Sequence, residues 1–279
     1  MVDVTSLGDV NIDILTETIE NTENEQELIE NVKVKIGGGA AIFASHLSKL
    51  GMKVRLIGCI GNDFFGKFLK EMLEKQNLEL KLKVLNERTG ITVGIQFKDG
   101  RKKLATFRGT NKLFSINDIK ISDIEGEILH FSGYNLLENL RKDVPKIFEQ
   151  VKSKNMIISF DPDLKAGLKF DKNEFFEVAK LVDILFLNER EASLISKNFN
   201  WFKGRCLIVK RGRNGAIGFE NGKKEEVEGI KASIKNPTGA GDVFDAAFIH
   251  HYYYGYDLRE CLEFANEEAV KYLEDKYEA

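Results

Sequence analysis

The 279-residue sequence is poor in the residues that mark several functional classes. Its three cysteines, Cys59, Cys206 and Cys261, are far apart and form no C-x-x-C pair, which argues against a disulfide framework or a zinc ribbon and fits reduced thiols packed in a core. Basicity is absent: 41 Lys and Arg stand against 44 Asp and Glu, a net charge of -3, so no overall positive field recruits nucleic acid or an anionic membrane. No apolar run approaches the length of a membrane span and the N-terminus lacks a basic start, so a soluble, unexported, cytoplasmic protein is expected. Histidine is scarce; His46 lies in an apolar helical run and His250-His251 end another, positions that suit packing better than metal ligation. Internal repeats and low-complexity tracts are missing. What is present, 43% hydrophobic and 30% charged residues, fits one large domain with at most a small appendage.

Apolar runs bounded by polar turns alternate with helical periodicity along most of the chain. Val2 to Leu7 reads as a strand, after which Asp9, Asn11 and Asp13 fall at alternate positions and emerge on one side. Glu17 to Glu27 reads as an exposed loop or hairpin tip, and Ile29 to Ile36 as a strand. Gly37-Gly38-Gly39 opens a helix over Ala40 to Leu50, Val54 to Ile60 is a buried strand, and Phe64 to Lys75 is a helix. The intervening Gly61 to Lys67 nearly spells a Walker A loop, but Phe68 stands where that motif needs Ser or Thr, so a turn capped by Asp63 is expected. Thr89 to Phe97 and Lys102 to Phe107 form a hairpin around Asp99-Gly100.

From Ile128 onward strands and helices alternate. Ile128 to Phe131, Met156 to Phe160, Ile184 to Leu187 and Cys206 to Val209 read as strands. Helices are expected around Leu140 to Val151, Phe175 to Leu181 and Glu189 to Ser196, with a final pair from Gly241, while Lys223 to Glu226 belongs to a solvated hairpin. This order predicts an α/β fold of three layers, a parallel sheet with helices on both faces. One domain spans residues 1–279, with a small β-sheet lid inserted from about 12–36 and 88–110.

Ligands in open α/β sheets bind outside the carboxyl ends of the strands, so the residues there carry the functional information. Polar clusters follow the strands at Gly8 to Asp13, Ser132 to Asn135, Asp161 to Lys165, Asn188 to Glu191 and Lys210 to Gly215. The densest stretch is Asn236-Pro237-Thr238-Gly239-Ala240-Gly241-Asp242, followed by the apolar run of a helix. Gly239 and Gly241 let backbone N–H groups approach an anion, and the helix dipole favours negative charge at the same place. Asp242 in the first turn then sets a carboxylate beside that anion hole, a pairing suited to proton abstraction coupled to charge stabilisation. A plain turn, with Asp242 complementing the dipole, would use the same residues.

Together these motifs resemble the ribokinase-like, or PfkB, family of carbohydrate kinases over nearly the whole chain. Pro237 to Asp242 resembles the family's C-terminal signature, Gly37-Gly38-Gly39 and Gly58 to Gly66 the N-terminal one, Asn188 and Glu191 its N-x-x-E, and Val209 to Gly215 its nucleotide-side loop. The resemblance implies transfer of the γ-phosphoryl group of ATP to a hydroxyl of a sugar, sugar acid or polyol. It implies Asp242 as general base, with Gly239, Ala240 and Gly241 as anion hole, and Asn11, Asp13, Gly38 and Gly39 facing the substrate. Asn188, Lys210, Gly212, Gly215 and Asn266 would border the nucleotide, and Asn188 and Glu191 would organise Mg2+ through water.

Departures qualify the transfer. Asn236 replaces an aspartate associated with a monovalent-cation site, so potassium activation is not assumed; Ile42 replaces a polar substrate contact; Asp163 and Lys165 replace Asn and Arg. A nucleoside acceptor and a non-catalytic nucleotide or ligand sensor are the alternatives. Substrate choice rests with the lid and residues such as Arg88, Thr92, Gln96, Arg108 and Asn111, and unpaired lid edges suggest a homodimer.

Overall fold

A computed structural model of the chain describes residues 2–20, 26–98, 101–164, 167–196, 198–231 and 238–274. The expected Asp99-Gly100 turn, Lys165 and Asn236-Pro237 lie outside the described residues. In chain order the first half contains β1 (Val4–Gly8), β2 (Asn11–Ile19), β3 (Val32–Gly37), α1 (Gly39–Lys49), β4 (Val54–Gly61), α2 (Phe64–Glu74), β5 (Glu79–Leu85), β6 (Gly90–Phe97), β7 (Lys102–Phe107) and α3 (Thr110–Leu113). The second half contains β8 (Ile128–Ser132), α4 (Glu138–Arg141), α5 (Val144–Lys152), β9 (Ile157–Asp161), α6 (Lys172–Ala179), β10 (Ile184–Asn188), α7 (Glu189–Ile195), β11 (Cys206–Lys210), β12 (Ala216–Glu220), β13 (Lys223–Val227), α8 (Ala240–Tyr253) and α9 (Leu258–Leu273).

Among the described residues, nine strands form one sheet in the order β13-β12-β11-β10-β9-β8-β1-β4-β5, and four form a second in the order β3-β2-β6-β7. The large sheet is parallel from β11 to β5, and β12 and β13 close it with an antiparallel hairpin. Alternation along each strand divides the core. Val54, Leu56 and Ile60 of β4 join the cluster beneath α1, α2, α8 and α9, while Ile57 and Cys59 join the one beneath α5, α6 and α7. The expected three layers and lid are therefore present. Asp63 caps α2, as its position suggests, by accepting from Gly66 N at 2.7 Å.

Two local expectations are corrected. The single helix over Leu140 to Val151 is two, α4 and α5, because Pro145 at the start of α5 has no N–H to continue the preceding helix. Strand β2 runs through Glu17 to Ile19 rather than ending before the acidic segment, since Glu17 is pinned across the ladder, its N–H donating to Asn31 O and its carboxylate accepting from Glu30 N.

His130 of β8 lies fully within the core, stacked on Phe43 with centroids 3.7 Å apart, and its Nδ1 sits 2.9 Å from Ser159 Oγ. Burial pushes its pKa from 6.5 down to about 3, so the folded chain keeps it neutral. As pH falls below 6.5 the unfolded chain takes up this proton first, and native stability declines towards about pH 3 by at most roughly 1.4 kcal/mol per pH unit. Urea denaturation at a series of pH values should show that slope in the native sequence and a flatter one in His130→Gln. Equal slopes would mean that His130 is charged in the fold.

Candidate active site

The cleft lies at the carboxyl edge of the parallel sheet, beneath the lid, with a volume of about 1490 Å³. Asn11, Asp13, Gly38, Gly39, Asn188, Glu191, Lys210, Gly212, Gly215, Gly239, Ala240, Gly241, Asp242 and Asn266 all line it, as expected, whereas of the lid residues expected to govern substrate choice Thr92 and Arg108 line it and Arg88, Gln96 and Asn111 do not.

Its central feature is the start of α8. Gly239 precedes the helix at φ 88°, a left-handed conformation, and a Cβ there would stand 2.7 Å from the Tyr272 hydroxyl and 3.1 Å from Ile42 Cδ1. The backbone demands glycine, and any side chain there would also have to displace these two side-chain tips. The N–H groups of the next residues are the unpaired donors of a helix N-terminus. Asp242 extends from this first turn towards α1, where a Cβ on Gly39 would meet its Oδ1 at 2.8 Å. Gly39 N in turn donates to Asp9 Oδ1 at 3.0 Å, so Asp9 caps α1. Two helix N-termini thus converge on Asp242, and both favour negative charge there.

On the lid side, Asn11 is fixed in orientation. Its Oδ1 accepts from Asn111 Nδ2 at 2.6 Å and its Nδ2 donates to Asp9 Oδ2 at 3.4 Å, while Asn111 is itself fully buried and bonded to both backbone groups of Val10. Asp13, Thr92 and Thr106 share one row across β2, β6 and β7 and line the cleft, with the two threonine hydroxyls 3.2 Å apart. Beside this polar row, Ile42, Leu104, Leu136 and Leu168 supply an apolar wall. Of the other lid residues singled out above, Arg108 lines the cleft and pairs with Glu138 at 2.9 Å.

At the opposite end, Asn188 and Glu191 form a capping box on α7. Asn188 Oδ1 accepts from Glu191 N and Glu191 Oε2 accepts from Asn188 N, both at 2.9 Å, while Oε1 accepts from Leu164 N at 2.8 Å. Burial, with the negative charge of Asp161 next, pushes the Glu191 pKa up to about 7, a carboxyl that a nearby cation would readily ionise. Among the described residues no group of three His, Cys, Asp or Glu side chains could hold a metal ion. Hard oxygen donors at Asn188, Glu191, Asp161 and Asp163 nonetheless line the cleft, an arrangement that suits a magnesium ion retaining its waters. Lys210, expected to border the nucleotide, spends its ammonium on protein partners: Asp161 Oδ2 at 2.7 Å and both Asp245 oxygens at 2.9 Å. Burial opposes its charge, but the two carboxylates hold its pKa above the usual range. Burial raises the Asp245 pKa in turn, and Asp161 adds to that rise.

This geometry has counterparts of known class. The model of the pfkB family carbohydrate kinases matches residues 1–276. The chain belongs to that family. A nucleoside kinase of Methanocaldococcus jannaschii is 27% identical over 266 residues, covering 92% of this chain and 86% of the relative. An ATP-dependent ribose-1-phosphate kinase of Halopiger xanaduensis is 26% identical over 274 residues, covering 95% of this chain and 90% of the relative. Among solved structures, an E. coli protein described as a ribokinase II and crystallised with ATP and Mg2+ superposes with a TM-score of 0.80 at 23% identity, over 98% of this chain and 93% of that one. The pfkB kinase is therefore a phosphotransferase with an alcohol group as acceptor, on a ribokinase fold.

Asp9 and Ser132, expected only as members of strand-end polar clusters, adjoin Gly39, whereas Asp245 and Tyr272 belong to the immediate surroundings of the site but escape motif reading. Asp245 had one visible signal, a carboxylate inside the apolar run after Asp242. The contact of Tyr272 with Gly239 had none. The histidines have no part in the cleft: His46 pairs with buried Glu268 at 3.1 Å, and His251 stacks on Phe264.

Proposed function

We propose that this pfkB kinase transfers the γ-phosphoryl group of ATP to a hydroxyl of a small carbohydrate, with Asp242 as general base and the N–H groups of the Gly239–Gly241 turn as anion hole. The observation that carries the reading is the placement of the Asp242 carboxylate over Gly39, where the N-termini of α1 and α8 meet. A hydroxyl held there by Asn11 and Asp13 lies beside the carboxylate that receives its proton, and the first turn of α8 faces the charge of the group being transferred. Alignment and electrostatic stabilisation are what phosphoryl transfer chiefly requires. Magnesium, when bound, neutralises phosphate charge; Asn188 and Glu191 would orient its waters. Gly212, Gly215 and Asn266 would line the nucleotide end.

A nucleoside is the second reading for the acceptor, and the apolar wall of Ile42, Leu104, Leu136 and Leu168 beside the polar row favours it, because a base needs a hydrophobic surface where a free sugar needs hydroxyl partners. ATP consumption across sugars, sugar acids, sugar phosphates, polyols and nucleosides, with the product identified by mass, separates the readings. Turnover with nucleosides alone selects the second; ATP binding with no turnover on any acceptor defeats both and leaves a sensor.

The lid face turned away from the cleft exposes Val34, Val93 and Phe107, and strands β3 and β7 leave open edges. Such a surface and such edges favour a homodimer through the lid. Light scattering is expected to give twice the chain mass, and Val93→Lys with Phe107→Lys to return it to one. A monomer at assay concentration would refute the dimer.

A further inference from the structure

We infer that Lys210 is a positioning residue: it ties the sheet to the first turns of α8 and so sets the register of the anion hole and of Asp242. The inference rests on the catalytic reading of that turn proposed above. Its grounds are geometric. Lys210 ends β11, and its ammonium reaches Asp161 at the end of β9 at 2.7 Å, both oxygens of Asp245 in α8 at 2.9 Å, and the carbonyl of Gly241 at 3.4 Å. The lysine side chain packs under the glycine turn, where a Cβ on Gly241 would meet Nζ at 3.4 Å and Cε at 3.9 Å. It also lies 5.7 Å from the centroid of Phe186.

The sequence around Asp245 makes this arrangement costly, and so informative. Val243, Phe244, Ala246, Ala247, Phe248 and Ile249 are all buried, as is Asp245 at 0% exposure. A leucine there would pack as well without the cost of removing charges from water, since a buried ion cluster is commonly no more stabilising than the apolar residues that could replace it. An apolar helix face, however, tolerates small shifts along and about its axis. Hydrogen bonds to the Asp245 carboxylate from a lysine held in the sheet by Asp161 do not. Asp242 and Asp245 are three residues apart, so the register imposed at Asp245 is inherited by the carboxylate that must meet the acceptor hydroxyl. Small displacements matter in this chemistry, where a shift of about 1 Å can cost on the order of 10²-fold in rate.

Steady-state kinetics in both substrates, with melting temperatures, test the inference. Lys210→Met should lower kcat by about 10- to 100-fold while KM for ATP changes by less than about threefold. Because that variant leaves Asp161 and Asp245 without their cation, the double variant Lys210→Met with Asp245→Leu is the decisive one. It should melt at or above the temperature of Lys210→Met and still turn over slowly, since packing is restored but register is not. Asp245→Asn, which keeps an oxygen for the ammonium, should retain kcat within about threefold. A rise in KM for ATP at constant kcat would make Lys210 a nucleotide ligand and overturn the inference. Wild-type kcat in the double variant would reduce the cluster to a structural one and overturn it equally. Asp242→Asn, assayed alongside, reports on the base alone and separates failure of that assignment from failure of this one.

Discussion

Asp242→Asn is expected to lower kcat by about 10²- to 10⁴-fold with little change in KM for ATP. The substitution keeps the size of the side chain and its ability to accept a hydrogen bond, and removes the capacity to accept a proton at neutral pH. It touches no core contact: Asp242 is half-buried at the cleft, and the apolar residues holding α8 begin one position later with Val243 and Phe244. The melting temperature should therefore stay close to that of the native sequence. Residual turnover would come from the anion hole and from alignment of the two substrates, which the variant retains. Equal rates in the variant and the native protein would show that the acceptor hydroxyl loses its proton elsewhere.

Much of this apparatus could be read from residue patterns because the relevant physics is local. The buried strands β8 to β11 appear as short apolar runs, and the residues that follow them reach the cleft because a parallel sheet places all such ends on one edge. The glycine turn and Asp242 are adjacent in the chain, so seven residues suffice to pose the two readings of the turn, an anion hole with a base or a plain helix start. Asn188 and Glu191 show a limit of this reading: N-x-x-E is also a capping box, and in the structure both side chains perform that local duty, which a motif cannot distinguish from cation binding.

What could not be read is long-range. Asp245 and Lys210 are 35 positions apart, and their pairing depends on how α8 lies across the end of β11. Asn111 and Asn11 are 100 apart, and only the docking of the lid on the sheet brings one amide to orient the other. The break at Pro145 was a local signal that the periodicity over Leu140 to Val151 masked, whereas the continuation of β2 through Glu17 depended on a partner, Asn31, whose approach is a tertiary event.

Gly39→Ala offers the second large effect, and one that discriminates position from stability. Glycine here carries no left-handed backbone requirement, and alanine is the better helix former by roughly 0.8–1.0 kcal/mol in an exposed helix interior, so α1 has no reason to melt. The added methyl nevertheless has nowhere to go. It would stand 2.5 Å from Ser132 Oγ, 3.3 Å from Ser132 Cβ and 2.8 Å from Asp242 Oδ1. Ser132 is fully buried at the end of β8, whereas Asp242 is half-buried and has the more room to move, so the carboxylate is displaced into the volume that the acceptor hydroxyl needs. The expected result is a loss of kcat on the order of 10²-fold, a higher KM for the acceptor, an almost unchanged KM for ATP and a melting temperature near that of the native protein. Adding Ser132→Gly removes both of the Ser132 atoms that crowd the methyl, and the double variant should recover a large part of the rate. Recovery of this kind would locate the reacting hydroxyl above Gly39, between the two helix ends. A Gly39→Ala variant as fast as the native enzyme would place it elsewhere in the cleft.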